Sequence, residues 1–192
     1  MKYKIILASN SPRRKELLEG LDLDFEVKVL SDIKESFPDN LDVRDIPVFI
    51  AAEKAEAYKP SMAADELIIT ADTIVVLENE VLGKPKDCTD AQRMLRLLSG
   101  KTHQVITGVC LTTRNLQHKF SVVSDVTFKH FTEKEINYYI DKYHPLDKAG
   151  AYGIQEWIGH IGVTALHGSY FNVMGLPVQR IYEELKKIGI LP

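Results

Sequence analysis

A strand pattern that passes directly into a helix signal is the feature that most constrains how this chain can fold. The segment YKIILAS, residues 3–9, is apolar and rich in β-forming residues, so it predicts a strand inside a sheet. SPRRKELLEGL follows, with Ser11 as a suitable N-cap, Pro12 at the first helical position and Gly20 at the end. A strand that leads at once into a helix is the basic unit of an α/β protein.

Strand and helix patterns continue to alternate along the rest of the chain. Strand patterns cover residues 25–30, 66–85 (two strands around a turn at 78–80), 103–113 and 120–131, and helix patterns cover residues 42–58, 89–100, 132–143 and 176–188. Two connections between strands are short enough to predict hairpins. Residues 144–175 are rich in glycine and are predicted to be irregular. The pattern predicts an α/β protein whose mixed, partly antiparallel central sheet is flanked by helices.

Capping boxes indicate where two of these helices begin. Thr89 with Gln92, and Thr132 with Glu135, have the required spacing of three residues. In such a box the hydroxyl and the longer side chain each satisfy a free backbone N–H group. The two helices are therefore predicted to begin just after Thr89 and Thr132.

Composition excludes several classes of protein. With 192 residues the chain is long enough for one substantial core, so a single domain over residues 1–192 is expected. A net charge of -3 argues against a stable nucleic-acid partner. Cys88 and Cys110 lack a pairing motif, which is typical of reduced thiols in a cytoplasmic protein. The apolar run at the N-terminus is too short for a signal peptide or a membrane span, so no membrane association is expected.

Two arginines at the start of the first predicted helix are candidates for anion binding. Arg13 and Arg14 lie at the positive end of the helix dipole, where a cation is unfavourable by up to ~1 kcal/mol. The free N–H groups there, with the hydroxyls of Ser9 and Ser11, predict a phosphate site. A bound phosphate would make both arginines favourable. The alternative is that both are solvated residues of the first turn.

An aspartate inside an apolar strand pattern is a second candidate. Asp72 interrupts IITADTIVV, and a buried carboxylate without a partner costs several kcal/mol. It predicts a base or metal-binding carboxylate at the carboxyl end of a strand, or alternatively a strand-end aspartate that satisfies a turn. Lys84, which a tight hairpin would bring back towards Asp72, and Lys54, on a helix face with small neighbours, are candidate cations. Taken alone, each lysine is typical of a solvated surface.

Other short motifs do not survive inspection. Gly100-Lys101-Thr102 follows a helix pattern, and the first glycine of a phosphate loop is replaced by Leu95. The 6 histidines lack the two-per-turn spacing of zinc ligands, and no serine has the glycines of a nucleophile elbow. A phosphate-loop ATPase, a zinc enzyme and a serine hydrolase are therefore not expected.

Eight segments cover nearly the whole chain: LASNSPRRKELL, KA at 54–55, TADTIVV, LGKPKD, MLRLLSGKTHQVITGV, FTEKEINYYI, DKAGAYGIQ and GSYFNVMGLP. Together and in this order they resemble the Maf family of nucleotide pyrophosphatases. The resemblance implies a fold similar to inosine triphosphate pyrophosphatases, with two lobes around a cleft, and it allows a homodimer. It also implies hydrolysis of a nucleoside triphosphate between its α and β phosphates, with Mg²⁺ or Mn²⁺ as cofactor.

The resemblance assigns roles to individual residues. Asp72 matches the catalytic carboxylate that activates water, and Glu35 stands where an acidic metal-associated residue is expected. Asp72 can act as base, as metal ligand or as both, and these roles stay open here. Arg13, Lys54 and Lys84 match residues that hold the phosphates. With the helix start included, the predicted phosphate-binding set is Ser9, Ser11, Arg13, Arg14, Lys54 and Lys84, and the predicted metal ligands are Glu35 and Asp72.

Substrate choice is predicted from Arg13, Thr73 and Gln155. Asp-Thr at the strand and Gly-Ile-Gln in the later loop resemble the dTTP/UTP pyrophosphatase branch, whereas Asp-Gln resembles the branch that prefers 7-methyl-GTP. A glutamine amide can pair with N3–H and a carbonyl of uracil or thymine, and when flipped it can accept cytosine. The alternative is that Gln155 is a loop residue that bonds to the backbone.

Two departures from the family pattern occur near these residues. Ala52 stands close to where an arginine is common before the helical lysine, and Trp157 and His160 follow the Gln155 loop. The function predicted from the sequence is hydrolysis of dTTP and UTP, with CTP or modified pyrimidine nucleotides as further substrates. The alternative is a nucleotide-binding regulator of cell division without significant turnover.

Overall fold

A mixed sheet organises the computed structural model, which describes residues 3–31, 33 and 36–191. Within these residues the strands are β1 (Lys4–Leu7), β2 (Phe25–Val27), β3 (Glu66–Leu77), β4 (Glu80–Leu82), β5 (Thr102–Thr112), β6 (Gln117–Phe128) and β7 (Val163–His167). The order across the sheet is β2-β1-β3-β5-β6-β7, and β4 pairs with β3. β1 runs parallel to β2 and β3, whereas β4 is antiparallel to β3 and β7 is antiparallel to β6. The predicted mixed, partly antiparallel sheet is confirmed.

Helices connect and flank these strands. They are α1 (Pro12–Glu19), α2 (Ile46–Tyr58), α3 (Cys88–Leu98), α4 (Glu133–Tyr143), α5 (Trp157–Gly162), α6 (Tyr170–Met174) and α7 (Val178–Lys187), with 3₁₀ turns at Lys59–Ser61, Pro145–Asp147 and Ala149–Ala151. Within the described part of the chain, no helix is both long and apolar enough to cross a membrane.

Local capping explains where most helices begin. Ser11 caps α1 by accepting the N–H of Arg14, and the predicted capping box of Thr132 and Glu135 is present at α4. The box predicted from Thr89 and Gln92 is wrong. α3 begins earlier, because the carboxylate of Asp87 caps it by accepting the N–H of Asp90 at 2.8 Å.

The glycine-rich segment 144–175 was the least accurate prediction, because it contains α5, β7 and α6. Its glycines serve packing as well as turns. A Cβ atom on Gly162 would lie 2.3 Å from the Cζ atom of the Phe131 ring, so only glycine lets the end of α5 approach that ring. Close packing of this kind has no distinctive sequence pattern, and a loop is the usual interpretation of such a segment.

The chain divides into two compact units. Unit 1 comprises Met1–Asp72, Thr107–Val122 and Gly175–Pro192, and unit 2 comprises Thr73–Ile106 and Val123–Met174. The boundary between Asp72 and Thr73 falls inside β3. The single domain expected over residues 1–192 stays a prediction.

Each unit has its own apolar core. In unit 1, small residues of α2 pack against Cys110 of β5, and a Cβ atom on Gly108 would lie 2.2 Å from the backbone of Pro47. The small residues around Lys54 therefore allow the close approach that the sequence predicts. In unit 2, aromatic and aliphatic side chains of β5, β6, α3 and α4 form the core, with Phe128, Tyr139 and Leu95 among its most buried members.

Candidate functional site

A nearly buried ion pair lies at the centre of the predicted site residues of unit 1. Lys54 Nζ on α2 lies 2.9 Å from Asp72 Oδ1 on β3, and the two side chains are only 13% and 12% exposed. The prediction that a buried Asp72 requires a cationic partner is confirmed. Its predicted place was wrong, because Asp72 lies in the interior of β3 and not at the carboxyl end of a strand or in a turn.

Packing of α2 on the sheet brings this pair together. The Thr70 hydroxyl donates to the Ala51 carbonyl at 2.6 Å, which fixes α2 against β3 one turn before Lys54. Ala51, Ala52 and Ala55 are buried on the same helix, so its axis can lie close to the strand. Lys54 therefore reaches Asp72 from a neighbouring element, across 18 residues of sequence.

Arg14 at the start of α1 binds the framework next to Asp72. Its Nε donates to the Gly175 carbonyl at 2.8 Å, and its Nη1 donates to the Ala71 carbonyl at 2.8 Å. The two carbonyl dipoles offset the cost of a cation at the positive end of the helix. Arg14 thereby ties α1 to the residue that precedes Asp72, and its predicted role in phosphate binding stays a prediction.

Ser9, Ser11 and Arg13 complete this end of α1. The Ser9 hydroxyl accepts the N–H of Ser11 at 3.2 Å, and the Ser11 hydroxyl accepts the N–H of Arg14 at 3.4 Å. Each hydroxyl keeps its own hydrogen as a donor. Arg13 is half-buried. The structure thus places two hydroxyls and two guanidinium groups on one loop and helix start, as an anion site requires.

The other predicted residues belong to unit 2, where the predicted hairpin is confirmed. β3 and β4 pair with Val75 opposite Leu82. Thr73 precedes Val75 by two residues, and Lys84 follows Leu82 by two, so the chain returns alongside β3 at Lys84. Thr73 is half-buried, whereas Lys84 is exposed.

Gln155 lies in a tight turn with an unusual buried atom. The N–H of Glu156 donates to the Gly153 carbonyl at 3.0 Å and closes the turn. Gln155 Oε1 is buried and has no hydrogen-bond partner among the described residues. A buried acceptor in this state costs about 1–3 kcal/mol, so the site favours a ligand that supplies a donor. The alternative, a loop residue that bonds to the backbone, leaves this oxygen unexplained.

The residues that hold this turn were missed by the sequence analysis. The Tyr139 hydroxyl on α4 accepts the N–H of Gly153 at 3.0 Å and donates to Glu156 Oε2. Tyr139 shares the buried face of α4 with Ile136 and Ile140, so in the sequence it resembles an ordinary core aromatic. The one available signal was the acidic Glu156 directly after Gln155.

No metal cluster accompanies these residues. Within the described ranges, no group of three or more His, Cys, Asp or Glu side chains is arranged to hold an ion. Asp72 is the one predicted metal ligand that can be located, because Glu35 lies outside the described residues.

Comparisons with known proteins agree with this arrangement. A family model described as Maf-like protein matches residues 4–188. A protein of Phocaeicola vulgatus named dTTP/UTP pyrophosphatase is 65% identical over 187 residues, which is 97% of each chain. A protein of Parabacteroides distasonis with the same name is 63% identical over 185 residues, 96% of each chain. The solved structure of the Staphylococcus aureus Ham1 protein shares the fold, with a TM-score of 0.57, 14% identity and coverage of 96% of this chain and 99% of that one.

Proposed function

This chain belongs to the Maf family, and we propose on that premise that it hydrolyses dTTP and UTP to the nucleoside monophosphate and pyrophosphate. Relatives named dTTP/UTP pyrophosphatase match it over nearly their whole length. The observation that carries the proposal is the ion pair between Lys54 and Asp72, in which a carboxylate inside a buried strand is held by a cation from a neighbouring helix.

In the proposed reaction Asp72 accepts a proton from water. The water oxygen then attacks the α phosphorus, the bond from that phosphorus to the bridging oxygen breaks, and pyrophosphate leaves. Lys54 holds the Asp72 carboxylate in one orientation through Oδ1. Arg13, with the hydroxyls and N–H groups at the start of α1, offsets the negative charge of the phosphates.

Mg²⁺ or Mn²⁺ is the proposed cofactor, and the residues present fit one that arrives with the substrate. Mg²⁺ in such sites usually binds one or two carboxylates and takes its other ligands from water and substrate phosphates. Asp72 supplies one carboxylate, and Glu35 is the proposed second. When bound, the ion offsets charge that develops on the phosphate oxygens.

Gln155, with Thr73 and Arg13, is proposed to select the base. Uracil and thymine present an N3–H donor beside carbonyl acceptors, and the Gln155 amide offers an acceptor and donors in complement. The buried Oε1 atom, which has no partner within the described residues, supports a role in accepting N3–H. Because the proposed substrates are free nucleotides, the proposed place of action is the cytoplasm, with no stable nucleic-acid partner. A homodimer stays a prediction.

The test is to incubate the purified protein separately with dTTP, UTP, CTP and 7-methyl-GTP in the presence of Mn²⁺, and to measure pyrophosphate and monophosphate. We expect equal amounts of both products, formed fastest from dTTP and UTP. Release of inorganic phosphate with a nucleoside diphosphate would contradict cleavage between the α and β phosphates. Nucleotide binding without any release would instead support the regulator of cell division.

A further inference from the structure

A hydrogen-bond network in unit 2 encloses the turn that carries Gln155. The Tyr139 hydroxyl contacts both sides of this turn, since it accepts the N–H of Gly153 and donates to Glu156 Oε2. Lys148 Nζ lies 3.2 Å from the other carboxylate oxygen, Glu156 Oε1, and 2.7 Å from Asp147 Oδ1. Gly153 and Glu156, on either side of Gln155, are therefore fixed by groups outside the turn.

From this arrangement we propose that Tyr139 and Glu156 are positioning residues that orient the Gln155 amide toward the pyrimidine base. Neither residue needs to touch the nucleotide. Selectivity for uracil and thymine over cytosine then depends on a tyrosine of α4 as well as on the glutamine itself. The inference rests on the proposed function, because it assumes that Gln155 contacts the base.

The fit between the glutamate and the turn supports this role. A Cβ atom on Gly153 would lie 2.9 Å from Glu156 Cδ and 3.0 Å from its Oε2, so the glycine makes room for the carboxylate. Both carboxylate oxygens have a partner, one from Tyr139 and one from Lys148. The Glu156 side chain is therefore held in one conformation, and the backbone next to Gln155 is held with it.

The charges around the tyrosine keep its hydroxyl in the donating form. Burial and the neighbouring Glu156 carboxylate raise the pKa of Tyr139 well above its ordinary value. Lys148 is itself buried, with 8% of the residue exposed, and its charge is balanced by Glu156 and Asp147. Such a network holds a neutral amide firmly without placing a formal charge on Gln155.

The test compares Tyr139→Phe with Tyr143→Phe, a matched control on the same helix. The two rings stack with centroids 5.1 Å apart, so each variant keeps its ring and loses only a hydroxyl. The first readout is the ratio of kcat/KM for UTP to that for CTP. The second, which needs no turnover, is the ratio of Kd values for α,β-methylene-UTP and α,β-methylene-CTP, measured by calorimetry.

We expect Tyr139→Phe to reduce both ratios about tenfold, mainly through weaker use of UTP, because the amide is no longer held in one orientation. Tyr143→Phe should leave them unchanged. In a Gln155→Ala background, Tyr139→Phe should change the ratios no further, since the amide that it orients is gone. If Tyr139→Phe does not fold, Glu156→Gln serves as the second variant, because it keeps the shape but weakens the contact with Lys148.

Three results would overturn the inference: a wild-type protein that binds the two analogues equally, a Tyr139→Phe variant with lower stability but unchanged ratios, or an equal effect of Tyr139→Phe with and without Gln155. Failure of the proposed function looks different. In that case the wild-type protein releases no pyrophosphate, while selective binding of the uridine analogue and its dependence on Tyr139 still decide the inference.

Discussion

Unit 1 contains two nearly buried carboxylates whose surroundings differ. Asp72 is 9% exposed and pairs with Lys54, a residue of another element that is itself nearly buried. Glu184 on α7 is 3% exposed and has three partners, of which Arg180 and Lys187 come from its own helix and His118 from β6. Burial alone does not distinguish a reactive carboxylate from an anchoring one, whereas the source of its partners does.

The electrostatic consequence is clearest at Glu184. Hydrogen bonds from Lys187, His118 and Arg180 lower the pKa of Glu184 to about 2, although its burial acts in the opposite direction. A carboxylate held so firmly does not accept a proton near neutral pH. It therefore serves to fix α7 to β6, whereas Asp72 is the carboxylate proposed to exchange a proton.

The largest expected effect comes from neutralising Asp72. Asp72→Asn should lower pyrophosphate release from dTTP by about 10²–10⁴-fold, because the proposed base is lost. Nucleotide binding should survive, since Asn Oδ1 can still accept a hydrogen bond from Lys54. Single-turnover assays and calorimetry measure the two properties. Near-normal turnover in this variant would show that Asp72 is not the catalytic carboxylate.

The same change at Glu184 should have the opposite signature. Glu184→Gln should lower the free energy of unfolding by about 2–3 kcal/mol, because hydrogen bonds to a charged group are weakened. kcat should stay unchanged in the folded protein. Urea denaturation and steady-state kinetics below the unfolding transition test both. If kcat fell as much as in Asp72→Asn, the distinction between the two carboxylates would be lost.

Acid should remove the contribution of Glu184 from the wild-type protein. Because the folded-state pKa of Glu184 is lowered from 4.5 to about 2, its stabilising effect is fully present above pH 4.5. That effect is lost as the pH falls from 4.5 towards 2. The difference in unfolding free energy between the wild type and Glu184→Gln, measured by urea denaturation, should therefore shrink over this range. A constant difference would contradict the assigned pKa.

The sequence predicts local features of this site better than long-range ones. Ser11 as a cap and the hairpin that leads to Lys84 follow from residues close together in the chain, and both are present. Asp72 and Lys54 could each be identified by residue type. Their pairing depends on how α2 packs against β3, through contacts such as Thr70 with the Ala51 carbonyl, and no sequence pattern encodes that contact.

Adjacent residues of one motif also differ in ways that the sequence does not reveal. Arg13 and Arg14 have the same side chain and the same position relative to the helix dipole. Only the fold shows that the guanidinium of Arg14 reaches Ala71 and Gly175, which are 57 and 161 residues away in the chain. The network of Tyr139 was missed for the same reason, because a buried tyrosine on an apolar helix face resembles core packing.

The smallest expected effects separate these two arginines. Arg14→Ala should lower the free energy of unfolding by about 1–3 kcal/mol, because the carbonyls of Ala71 and Gly175 lose a charged donor. Arg13→Ala should change stability by less than ~0.5 kcal/mol, since removing a cation from the helix start relieves an unfavourable dipole interaction. Its kcat/KM for dTTP should instead fall about tenfold through weaker phosphate binding.

Because the two variants differ only in position, each is the control for the other. Urea denaturation and steady-state kinetics on both proteins test the assignment directly. If Arg13→Ala proved the less stable variant and kept its kinetics, Arg13 would be a structural residue of α1. Equal kinetic losses at unchanged stability in both would show that Arg14 also contacts the phosphates. The bonds of Arg14 to Ala71 and Gly175 would then be too weak to fix α1 beside Asp72.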